Sequence, residues 1–87
     1  MDAHEYIDSK TENKDLRSHL HGILKELGYD NAMPADVIGA EDESKLWGKF
    51  VDYTGVTCHA EILHGKKIHL HNFLDSAIES WGRERGD

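Results

Sequence analysis

Four of the chain's seven histidines fall within residues 58–71, CHAEILHGKKIHLH, together with its single cysteine. On extended backbone, side chains two apart lie about 7 Å from one another on one face, and directly opposed cross-strand pairs about 5 Å. His59, Glu61, His69 and His71 would then converge as three imidazoles and a carboxylate. That set suits a tetrahedral zinc ion with bonds of about 2.1 Å. A metal centre also needs outer partners that fix each ring. A small open sheet supplies few, so a histidine-rich contact face is the preferred reading and zinc the alternative. Cys58 and His59 are strand neighbours and point to opposite faces, which argues against a thiol–imidazole nucleophile.

The elements that would position these residues follow from parity. A loop centred on Gly65 pairs Ile62 with Ile68, Ala60 with Leu70 and His59 with His71, so Cys58, Ala60, Ile62, Ile68 and Leu70 share one face. Upstream, SKLWGKFVDYTGV reads two ways. As a helix, Leu46, Trp47, Phe50, Val51 and Tyr53 make a stripe closed by Gly55. As a strand, Trp47, Val51 and Tyr53 join the apolar face of the hairpin, while Leu46 and Phe50 face outward beside the histidines. Aromatic and β-branched content tips the choice toward the strand.

Helical periodicity is clearest in NKDLRSHLHGILKELGY, where Leu16, Leu20, Ile23, Leu24 and Leu27 form one stripe between an Asn13 N-cap and a C′ Gly28. Gly22, inside it, should weaken the helix by about 1 kcal/mol relative to alanine. A second amphipathic helix is expected from Leu74, Ile78 and Trp81, capped by Asn72 or Asp75. DNAMPADVIGAEDE reads as a loop with at most one helical turn from Pro34. Residues 1–12 show no sustained period and read as an arm or a short docked turn, 13–83 as one domain, and 84–87 as a polar tail. The expected fold is α+β: helix, three-stranded antiparallel meander or a bare hairpin, helix, with both helices on one sheet face. This order resembles that of double-stranded-RNA-binding domains over about residues 14–83. The second helix, however, lacks the basic N-terminus with which those domains hold phosphates.

Length and charge bound the function. An 87-residue chain supports one small core. No apolar run reaches the ~20 residues of a membrane helix, and MDAHEYIDSK is acidic where a signal peptide would be basic, so a cytoplasmic protein without a membrane partner is expected. One cysteine excludes an internal disulfide and multi-cysteine zinc modules. The net charge is −7. No Lys or Arg lies between Asp30 and Ser44, a segment that includes Asp36, Glu41, Asp42 and Glu43. Such a chain suits a basic partner better than a phosphate backbone.

No catalytic motif is present, so the expectation is a protein without enzymatic activity: a small acidic interaction module that inhibits or regulates by occupying a partner's surface. An antitoxin-like or phage-type protein that mimics nucleic-acid charge against a nucleic-acid-processing enzyme is one form of it. Its contact residues would be Asp36, Glu41, Asp42, Glu43, Leu46, Phe50, His59, Glu61, His69 and His71. The alternatives are metal binding by the histidine face and nucleic-acid binding through Lys66, Lys67, Arg83 and Arg85.

Overall fold

The structure, a computed structural model, describes residues 1–57 and 67–85. Four helices and two short strands follow in the order α1 (Ala3–Lys10), α2 (Lys14–Glu26), β1 (Val37–Ile38), α3 (Ala40–Thr54), β2 (Ile68–His69) and α4 (Leu70–Arg85).

The first helix occupies the segment read as an arm, and its signal is local. The carboxylate of Asp2 accepts from the Glu5 backbone N–H at 2.8 Å, while Glu5 Oε1 accepts from the Asp2 N–H at 3.2 Å. This reciprocal box satisfies two donors that a helix start leaves orphaned. Only Ala3 and Ile7, one turn apart, are buried on this helix, too few to register as a period.

The second helix is the one its sequence announces. Asn13 Oδ1 accepts from Leu16 N–H at 2.9 Å, and Leu16, Leu20, Ile23 and Leu24 are buried. Past its end, Gly28 takes a φ of 84°. Its N–H donates to Lys25 O while that of Tyr29 donates to Leu24 O, the paired bonds of a Schellman ending, which only a left-handed residue allows.

The third helix corrects the strand reading. Glu41, Asp42 and Glu43, expected in a loop, form its first turn, where carboxylates oppose the positive end of the helix dipole. Leu46, Trp47, Phe50 and Thr54 then recur at helical spacing and are buried. Gly55 closes the helix at φ 72°, donating to Val51 O. There is accordingly no meander strand at 46–53 and no helix–three strands–helix order. Leu46 and Phe50, expected to face outward, are completely buried.

The two short strands come from segments some thirty residues apart. β1 and β2 run antiparallel, with Val37 opposite His69 and Ile38 opposite Ile68. Leu70 N–H to Asp36 O and His71 N–H to Pro34 O continue the ladder. Ile68 thus meets Ile38, and the expected pairing of Ile62 with Ile68 lies outside the described residues. Leu70 and His71 open α4 instead of extending a strand, and Asn72 and Asp75 lie inside that helix rather than capping it. The other expected strand, Cys58–Ile62, and the turn at Gly65 lie outside the described residues. Pro34 starts a single turn, in which Asp36 N–H donates to Met33 O at 3.0 Å.

All four helices and both strands contribute to one core, with Ile7, Leu20, Leu46, Phe50, Leu70, Phe73 and Leu74 among its fully enclosed side chains. Both tryptophans lie in it, Trp47 meeting Phe73 edge to face at 4.9 Å. Among the described residues no helix is long and apolar enough to cross a membrane.

Candidate functional site

The acidic segment divides once it is folded. Asp36 turns its carboxylate back on its own loop, Oδ2 accepting from Met33 N–H at 2.8 Å. Glu41 is exposed beside Lys45, 3.7 Å away, and Asp42 is exposed. Glu43 instead points inward: it is 3% exposed, and its Oε1 has no hydrogen-bond partner. The surface therefore keeps Asp36, Glu41 and Asp42 and loses Glu43.

Apolar side chains stand among these charges. Met33 is 48% exposed and Val37 57%, although the latter sits in a strand. Strand parity explains the second: Ile38 and Ile68 take the core side of the ribbon, which leaves Val37 and its cross-strand partner His69 on the outer side. Of the adjacent β-branched residues Val37 and Ile38, only Ile38 covers the core.

Of the four histidine-face residues, His69 and His71 come together, while His59 and Glu61 lie outside the described residues. The His69 and His71 rings are 10° from parallel with centroids 5.3 Å apart. Their closeness comes from the junction between β2 and α4, not from alternation along one strand. His69 Nδ1 is 2.8 Å from Ala35 O, and since a carbonyl only accepts, that nitrogen carries a hydrogen. His71 Nδ1 lies 3.9 Å from Asp75 Oδ2. The other oxygen of Asp75 accepts the Tyr6 hydroxyl at 2.6 Å. Burial, then the bond to Asp75 and its charge, push the Tyr6 phenol up to about 12. Among the described residues no group of three or more His, Cys, Asp or Glu side chains is arranged to hold a metal ion.

Both arginines of the nucleic-acid alternative have partners within the chain. Arg83 pairs with Glu79 on its own helix at 3.1 Å, and Arg85 donates to Thr54 O at 2.5 Å while covering the Trp81 ring. Lys67 is exposed. Lys66 lies outside the described residues.

One constellation escaped sequence reasoning altogether. His4 and His21 meet through their Nδ1 atoms, and their outer nitrogens reach Asp30 and Asp8 at 3.2 and 2.8 Å. The signal available was the short connection at residues 11–13, which forces two helices to lie side by side. Without α1 recognised as a helix, that signal had nothing to act on. No family model, no curated protein and no solved structure matches this chain.

Proposed function

We propose that this is a small acidic intracellular protein that inhibits or regulates a basic protein partner by covering its surface, with residues 33–42 and the outer side of the β1–β2 ribbon as the contact face. The observation that carries this reading is the pairing of exposed Met33 and Val37 with exposed Asp36, Glu41 and Asp42 in a stretch without a single Lys or Arg. Apolar side chains at the centre with charges around them are what a protein-binding patch requires: the first supply affinity, the second orientation and encounter rate. A nucleic-acid-processing enzyme, whose own surface is basic, is the partner class that such charge favours. Leu46 and Phe50 play no part, since the core holds them.

The test is capture of the partner from the source cell, followed by association kinetics with the wild type and two variants. E41Q/D42N should slow association about tenfold at low salt and flatten its salt dependence, whereas V37S should act mainly on dissociation. Unchanged kinetics in both would remove this face from the mechanism. A second reading, a metal held by His69 and His71 with His59 and Glu61, draws support from the His69 Nδ1–Ala35 bond, because ligating imidazoles commonly fix their ring in this way. One zinc per chain in elemental measurements on untagged protein would favour it.

A further inference from the structure

The contact between His4 on α1 and His21 on α2 has an unusual geometry. The Nδ1 atoms are 2.5 Å apart, the ring planes are 18° from parallel and the centroids are 4.7 Å apart. That centroid separation is about what the nitrogen–nitrogen distance and the radii of two five-membered rings require. The rings therefore meet edge to edge along the line of centres rather than face to face. Their outer nitrogens are already committed, His4 Nε2 to Asp30 Oδ1 and His21 Nε2 to Asp8 Oδ1. A carboxylate only accepts, so each Nε2 carries a hydrogen.

Proton counting then leaves one state that fits. A neutral imidazole has a single N–H, so two neutral rings would oppose bare lone pairs across the Nδ1–Nδ1 gap. Two protonated rings would oppose two N–H groups. Only one extra proton gives an N–H···N bond, with the pair carrying one positive charge between two carboxylates. We propose that His4 and His21 form a one-proton site that fastens α1 to α2, so that α1 docks most firmly where the pair holds a single shared proton and loosens on either side.

Other charges face this site from each neighbouring element. α1 contributes Asp8, 2.8 Å from His21 Nε2, and carries Glu5 next to His4 in sequence. α2 contributes Arg17, whose Nε is 3.7 Å from Asp8 Oδ1, and Lys25 one turn beyond His21. The loop contributes Asp30. Arg17 offsets Asp8, which leaves Asp30 to balance the shared proton. Loosening α1 uncovers Ala3 and Ile7, both fully buried, and so opens an apolar strip of the core as pH changes.

Hydrogen exchange of the α1 amides on the full chain, corrected for intrinsic exchange and followed from about pH 5 to 9, tests this. Protection should follow a bell, with a maximum about tenfold above its flanks, the scale of losing one charge-assisted hydrogen bond that is partly open to water. His21→Gln keeps an N–H for Asp8 but has no second ring nitrogen, and should abolish the bell. His4→Gln should do the same, with the double variant adding little. A monotonic profile in the wild type, or a bell that survives in His21→Gln, would overturn the proposal. Imidazole nitrogen shifts of the wild type give a reading independent of any variant's folding. The two Nδ1 signals should move together in coupled steps, and separate, independent titrations would also overturn it.

Discussion

Gly22 of α2 and Tyr53 of α3 approach so closely that a β-carbon on the glycine would lie 2.9 Å from Cε2 of the tyrosine ring. The glycine that weakens α2 by propensity is thus the one that lets α3 come alongside. Tyr53 cannot easily swing away, because its hydroxyl donates to Glu26 Oε2 at 2.6 Å and its ring meets His19 edge-on. Gly22→Ala should destabilise the protein by up to about 1 kcal/mol despite its better helix propensity. In a Tyr53→Ala background the same change should stabilise by about 1 kcal/mol, the propensity difference alone. Denaturant unfolding of the four proteins in this cycle checks the change of sign, and additive effects would exclude the steric account.

Glu26 ties α2 to α3 through two donors, Lys49 Nζ at 2.8 Å and the Tyr53 hydroxyl. The bond from Lys49, then that from Tyr53, hold its carboxyl below the ordinary value of 4.5. A carboxyl depressed in the folded state contributes stability above its unfolded value and loses it as pH falls through the folded one. The same bonds raise Lys49 and Tyr53, whose contribution is present below about pH 10 and fades as pH rises through their folded values. Glu26→Gln should therefore flatten the unfolding midpoint on the acid side below about pH 4.5 and on the alkaline side above about pH 10. Midpoints measured across pH with and without the substitution decide it, and parallel curves would refute the linkage.

Phe50 is fully enclosed and meets Trp47 edge-on at 5.5 Å. Phe50→Ala should cost about 3–5 kcal/mol and Leu46→Ala about 2–5, as large-to-small changes in close-packed cores do. Against a total of roughly 4–13 kcal/mol for a chain this long, Phe50→Ala would leave little margin. Had these residues faced outward from a sheet, both variants would fold nearly as well as the wild type. Thermal and denaturant unfolding discriminate between the two.

The same residues show where the sequence was legible. α2 could be read in full, because its caps, its stripe and its terminal glycine all agree. α3 carries as clean a stripe, but Trp47, Phe50, Val51 and Tyr53 also suit a pleated sheet, so period and composition point to different elements. The acidic run decided against that reading in physical terms: Glu41, Asp42 and Glu43 are where a helix N-terminus wants them. Of the proposed contact residues, Asp36, Glu41 and Asp42 are exposed while Glu43, Leu46 and Phe50 are buried, and which of Val37 and Ile38 turns outward depends on β2 pairing thirty residues downstream. The His4–His21 pair and the Tyr6–Asp75 bond join residues far apart in the chain, and no local pattern marks them.

Tyr6 and Asp75 fasten α1 to α4 with a 2.6 Å hydrogen bond in which the hydroxyl donates. Burial first, and then the carboxylate, raise the phenol to about 12. A tyrosine raised in the folded state contributes stability that is whole below its unfolded value of 10.0 and is lost as pH climbs through about 12. Asp75→Asn keeps an acceptor but removes the charge, so Tyr6 should then ionise at a lower pH, though still above 10.0 because burial remains. Absorbance titration of the phenolates gives the direct reading, with Tyr6→Phe identifying the signal among the chain's three tyrosines. If Asp75→Asn leaves the Tyr6 midpoint unchanged, burial alone sets it and the carboxylate contributes nothing to holding α1 on α4.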